Sequence, residues 1–123
     1  MYLYVRVQEP ESYYREGPDG RIKARLEQAS GERCLIVPYR EFNLSVVEEL
    51  RPRAIAMSGF GGHFQSREVA WFAGMDEGLH QADLPIICFC GSHQLMGFSF
   101  NLDLKSVGRL HDEPMRLLGP EED

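Results

Sequence analysis

The chain has no run near the roughly twenty apolar residues that a membrane helix requires, and its start, MYLYVRVQEPE, has neither the basic head nor the small-residue end of a cleavable signal. A cytoplasmic chain without membrane contact is expected. Positive charge is in deficit: thirteen Lys and Arg face nineteen Asp and Glu, for a formal charge of -6. A surface with that balance repels phosphate backbones and anionic lipid, so nucleic acid is not expected as a partner. Cysteine is scarce and odd in number, with three in all. Cys88 and Cys90 lie two apart on one apolar run, where strand side chains point the same way and not at each other. No disulfide framework is expected, and the thiols should be reduced. Internal repeats and low-complexity tracts are absent from the sequence. What remains, 123 residues of which 43% are hydrophobic, is enough for the core of a single domain over 1–123 and too little for two.

Short β-branched or aromatic runs alternate with stretches of helical spacing, the pattern of strands joined by crossover helices. The first strand is expected over Tyr2 to Val7, and after a polar loop through Pro18 and Gly20 a helix follows over Arg21 to Ser30, with Gly31 placed to end it. A second strand runs from Cys34 to Tyr39. Ser45 and Glu48 fit a capping box for a short helix that Pro52 stops. The third strand, Ala54 to Met57, meets the glycine-rich Ser58-Gly59-Phe60-Gly61-Gly62, after which Ser66 can cap a helix whose Val69, Phe72, Ala73 and Leu79 share a face, with Trp71 at its edge. The fourth run, Pro85 to Phe89, is almost wholly apolar, as a central parallel strand covered on both faces would be. Leu102 to Leu110 can hold one more short strand, and 119–123 read as a solvated end. The fold expected is α/β: a doubly wound, flavodoxin-like three-layer sandwich with a mainly parallel sheet and a site at the carboxyl ends of the third and fourth strands.

The segment richest in chemistry is Leu84-Pro85-Ile86-Ile87-Cys88-Phe89-Cys90-Gly91-Ser92-His93-Gln94-Leu95. A nucleophile at a sharp strand-to-helix turn needs small residues two positions before and after it, because the turn leaves no room for larger ones. Cys88 and Ser92 meet that demand around Cys90. The positive end of the following helix favours a thiolate there, and the Gly91 N–H points where an oxyanion would form.

These residues resemble the class I glutamine amidotransferases and their γ-glutamyl hydrolase relatives. The family's elbow reads glycine, aliphatic, cysteine, any, glycine, any, glutamine after a proline-led hydrophobic strand, and Pro85 to Gln94 follows that order; the His-Gln-Leu continuation is also typical. About thirty residues upstream the family carries a Ser-Gly-Gly-Pro-like loop after a strand, and Ala54 to Gly62 looks like that segment. The resemblance implies that Cys90 attacks the side-chain amide of glutamine or a γ-glutamyl compound, that Gly91 is one oxyanion donor, that backbone at Gly59 and Phe60 gives the second, and that Gln94 contacts the substrate. It implies no cofactor. A synthetase partner for the ammonia is compatible with it. Cys88 and Ser92 replace the family's two elbow glycines, and Phe60 stands where the family prefers glycine. The resemblance covers only the N-terminal half of the family's domain, and the His-x-Glu pair that serves as base and orienter lies beyond that half.

His111-Asp112-Glu113 has the literal His-x-Glu spacing but follows Cys90 too closely to match the family's pair, and a solvated turn is the reading there. His93, on the first turn of the elbow helix, cannot easily reach back to the sulfur, and His63 in the glycine loop reads as solvated. Cys88, Cys90 and His93 make a poor zinc site, since the strand-to-helix geometry supplies no fourth donor, so no metal is expected. Tyr13-Tyr14 reads as cover for the rim of the core. Two functions stay open: the amidotransferase-like enzyme, which the resemblance implies, and a shortened, non-catalytic binding or assembly module. A chain lacking the second half would leave sheet edge or apolar surface uncovered, which predicts a homo-oligomer. Without a base within reach of Cys90, negligible glutamine hydrolysis by this chain alone is expected.

Overall fold

A computed structural model describes residues 1–9 and 18–111. Four strands form one all-parallel sheet in the order β2-β1-β3-β4, with β1 Tyr2–Arg6, β2 Cys34–Pro38, β3 Ile55–Met57 and β4 Ile86–Cys88. That is the flavodoxin-like order, and it reverses between β1 and β3, the kind of place where open α/β sheets hold their ligands. The register aligns Tyr4 with Ala56 and Ala56 with Ile87, so these three share one face; Leu3, Val5, Ile55, Met57, Ile86 and Cys88 share the other.

Helix α1, Pro18–Ser30, lies on the Tyr4 face, where the Tyr4 hydroxyl donates to Asp19 Oδ1 at 2.6 Å and Arg6 Nε donates to Asp19 Oδ2 at 2.9 Å. The helix begins three residues ahead of the expected Arg21. Proline suits the first helical position and an aspartate stabilises the first turn, so residues that read locally as a loop become the helix start once Asp19 has buried partners. Helices α2 Leu44–Leu50, α3 Ala73–Gln81 and α4 Gly91–Asn101 cover the other face, where Val47, Met75 and Leu95 join Leu3, Val5, Ile55 and Met57 in one buried core. Three layers result.

Several local expectations are corrected. Asn43, not Ser45, caps α2: its Oδ1 accepts from the Val46 N–H at 3.0 Å, while Glu77 of α3 accepts from the Leu44 N–H at 2.9 Å. The helix ends at Arg51 in the left-handed conformation, φ 49°, whose N–H closes on the Val47 carbonyl, and Pro52 follows that cap. The single helix expected after Ser66 is instead two 3-10 turns, Phe64–Ser66 and Val69–Phe72, leading into α3; Val69 and Phe72 are buried as expected, but Ala73 is exposed. Leu102 to Leu110 holds a 3-10 turn at Leu104–Ser106 and no strand.

The largest correction concerns β4. It is the edge of the sheet among the described residues, not a central strand, and Ile87 is 56% exposed. Its apolar run is real, but α1 is tied to Tyr4, Arg6 and Cys34 on β1 and β2, and Ile87 on β4 lacks the second cover that the run implies. Phe89, Phe100 and Leu102 are also exposed. No described helix is long and apolar enough to cross a membrane.

Helix α4 is fixed to its neighbours by two buried serines. Near its start Ser92 Oγ donates to the Ser58 carbonyl at 2.5 Å. Near its end Ser99 Oγ donates to Asp76 Oδ1 at 2.5 Å, and His80 Nε2 lies 2.9 Å from the Ser99 carbonyl, with the imidazole tilted over the Phe100 ring.

Candidate active site

Strand β4 ends at Cys88, and the chain turns at once into α4 through Phe89 and Cys90. Cys90 is the N-cap of α4 with φ 46° and ψ -111°. Apart from Arg51, it is the one described non-glycine residue with positive φ. Arg51 sits in the left-handed helical well, whereas the ψ of Cys90 falls outside it, in backbone space that a side chain with a Cβ enters only under strain. The strained turn brings the exposed Cys90 to the carboxyl end of the sheet. This differs from the strand alternation that would aim Cys88 and Cys90 alike: Cys88 remains on the strand, half-buried, with its Sγ 3.8 Å from Met57 Sδ.

The turn is built from β3 outward. The Phe89 N–H donates to the Met57 carbonyl at 3.0 Å, which continues the β3–β4 pairing one residue past the strand. Within the turn the Ser92 N–H donates to the Phe89 carbonyl and the Gln94 N–H to the Cys90 carbonyl. Gly91 opens the helix, at the end where amide groups face outward without helical partners. Gly59 lies against Cys90: a Cβ there would stand 3.2 Å from Cys90 Cβ. Gly91 lies against Phe60, whose ring would be 2.6 Å from an added Cβ. The structure therefore brings Cys90, Gly91, Gly59 and Phe60 together. Gln94 is on the first turn of α4 and exposed.

The other expectations sort by position. His93, His63 and His111 are exposed. Among the described residues no three His, Cys, Asp or Glu side chains are grouped to hold a metal ion. Glu113, Tyr13, Tyr14 and 119–123 lie outside the described residues.

Further residues shape this corner, and of these only Ser58 falls in a motif. Ser58 is buried; its Oγ accepts from the Val7 N–H at 2.8 Å and its carbonyl accepts from Ser92. Arg67 is 5% exposed and donates through Nη1 to the Val7 carbonyl at 3.1 Å, with Glu9 3.5 Å from its Nε. Glu9 also accepts from the Tyr39 hydroxyl at 2.6 Å and pairs with Arg40, which stacks on Trp71 with 3.5 Å between guanidinium carbon and ring centroid. The serine in Ser58-Gly59 is visible in the sequence as part of the glycine loop, but a lone buried arginine carries no periodic signal.

The three thiols differ in environment. Burial pushes the Cys34 thiol up from its ordinary range, with Glu27 adding to the effect, and burial alone pushes up Cys88. Thiolate is the reactive form, so the buried Cys34 and the half-buried Cys88 are slowed twice, by access and by charge. Brief treatment with iodoacetamide is expected to label Cys90 first and Cys34 last by peptide mass mapping. Equal labelling, or Cys34 ahead of Cys90, would contradict the geometry.

No family model matches the chain, and no curated protein matches it.

Proposed function

We propose that the chain is a class I glutamine amidotransferase-like protein whose Cys90 thiolate attacks the side-chain carbonyl of glutamine or a related γ-glutamyl compound. One observation carries the reading: an exposed cysteine holds a strained, positive-φ backbone at a strand-to-helix turn at the carboxyl end of the sheet. Strain of this kind persists where the surroundings enforce it, and a nucleophile elbow is such a place. Two features add support. Gly59 packs against Cys90 and Gly91 against the Phe60 ring, so the loop after β3 can lie close to the cysteine only because neither position carries a side chain. The N-terminus of α4 directs partial positive charge at the same point.

In the proposed step the Cys90 sulfur bonds to the γ-carbonyl carbon and the carbonyl oxygen becomes an oxyanion. The Gly91 N–H and an amide at Gly59–Phe60 stabilise it. The oxyanion then collapses, nitrogen takes a proton from solvent and leaves as ammonia as the C–N bond breaks, and a γ-glutamyl thioester remains, which water cleaves to the γ-carboxylate and the free thiol. A γ-glutamyl thiophenyl ester tests the thiolate step by itself, because its leaving thiolate needs no proton. The expected result is stoichiometric release of thiophenolate and a γ-glutamyl group mapped to Cys90. Release without acylation of Cys90, or an unmodified protein, would overturn the reading and leave a binding or assembly module in its place.

A further inference from the structure

The Phe60 ring is gripped from two sides. On one side lies Gly91, so close that any Cβ there would overlap the ring at 2.6 to 2.8 Å. Against the ring also lies the guanidinium of Arg67, with its central carbon 4.2 Å from the ring centroid. Phe64 packs edge-on to the same ring at 5.1 Å. Arg67 is in turn held in place: Nη1 reaches the Val7 carbonyl, Nε faces Glu9, the Tyr39 ring lies 5.4 Å from its guanidinium carbon, and its own carbonyl accepts from Arg109 Nη1 at 2.9 Å.

Val7, just past the end of β1, thus serves the glycine loop at two points, Ser58 directly and Phe60 through Arg67. Its N–H donates to Ser58 Oγ, and its carbonyl accepts from the arginine that backs Phe60. The loop 58–60 is anchored to one residue through two different groups, and Ser92 ties the elbow helix to the same loop. A desolvated cation over an aromatic face is worth more than an exposed one, and a planar guanidinium can stack and donate at the same time, which lysine cannot reproduce.

The geometry points to Arg67 as a positioning residue for the oxyanion loop: it holds the Phe60 ring on Gly91 and so sets the distance between the loop amides and Cys90. This rests on the acyl-transfer reading above. The guanidinium of Arg67 meets Val7, Glu9, Tyr39 and Phe60, so it acts on the site through Phe60.

Two reactions of the same sulfur separate this role from a general structural one. Alkylation by iodoacetamide displaces iodide and forms no oxyanion, whereas acylation by the γ-glutamyl thiophenyl ester does. In Arg67→Met, which keeps an unbranched apolar side chain and removes the guanidinium, acylation is expected to fall roughly tenfold, the scale for a weakened oxyanion contact. The alkylation rate should stay within about twofold. Phe60→Leu, which leaves the ties of Arg67 to Val7 and Glu9 in place, should give the same split. The double variant should lose no more than either alone, because coupled residues are not additive. A parallel fall of both reactions, unchanged acylation in Phe60→Leu, or full additivity would overturn the assignment. If Arg67→Met does not fold, Phe60→Leu decides the matter by the same two rates. An unmodified wild-type protein would refute the acyl-transfer reading first; acylated wild type with unaffected variants would refute this inference alone.

Discussion

Gly74→Ala is expected to cost about 3 kcal/mol or more, at the upper end of what overpacking does. Gly74 lies in α3 directly beneath the carbonyl of Phe42, and a Cβ there would stand 1.6 Å from that oxygen and 2.8 Å from its carbon. These are backbone atoms, so no rotamer change relieves the overlap. Phe42 precedes Asn43, the cap of α2, and Glu77 from the same face of α3 accepts the Leu44 N–H. The helices have to separate at the point where one caps the other, which also disturbs the buried Phe42 ring packed near Gly78. A loss of that size is a large part of the stability of an ordinary domain. Gly97→Ala is the control: it sits in α4 with open space around its Cβ position and should gain up to about 1 kcal/mol from helix propensity. Urea denaturation of the two variants and wild type measures both. Equal midpoints for Gly74→Ala and wild type would show that α2 and α3 do not approach as described.

Cys90→Gly is expected to abolish thioester acylation, by about a thousandfold or more as for loss of a nucleophile, while raising stability by about 1 kcal/mol. The gain is the difference between two effects. Strained positive-φ backbone costs about 1–3 kcal/mol for a residue with a Cβ, and glycine brings back roughly 0.5–1 kcal/mol of that through the freer unfolded chain. Cys90 is exposed, so little packing is lost with its side chain. Cys90→Ala separates the two properties: it removes the sulfur and keeps the Cβ, so acylation should vanish without a gain in stability. The pair is measured by thiophenolate release and by urea midpoint. A Cys90→Gly protein less stable than Cys90→Ala would mean that the turn carries no strain, and the observation on which the functional reading rests would lose its force.

How much of this was open to the sequence follows from the range of the interactions involved. The cores of the four strands are legible because parallel strands are written as continuous apolar runs, and each run begins and ends within one residue of the observed strand. The turn around Cys90 is legible because its steric demand acts on immediate neighbours: Cys88, Gly91 and Ser92 are small. The place of β4 in the sheet is not, since an apolar run records burial in general and not which neighbour supplies it; Ile87 reads as doubly covered and is open on one face. The cap of α2 is misread because Ser45 and Glu48 fit a local rule, while Asn43 wins through geometry that Glu77 supports from another helix. Arg67 lies furthest from local reading. Its partners are at 7, 9, 39 and 60, and nothing within its own few residues announces that the guanidinium is buried.

The two serines of α4 are seven positions apart, two turns, with Leu95 between them on the same stripe. Most helices that pack on a sheet present a wholly apolar stripe, and apolar contact tolerates small slips along the axis because it has no direction. Here the stripe is apolar only in its middle. Eleven residues span about 16 Å, and each end is pinned by a hydroxyl to an oxygen on a different element: the loop after β3 at one end, α3 at the other. A shift of even one residue's rise would break both bonds together. The helix therefore behaves as a strut of fixed length, whose position at the cysteine end is also set by its far end beside His80 and Asp76.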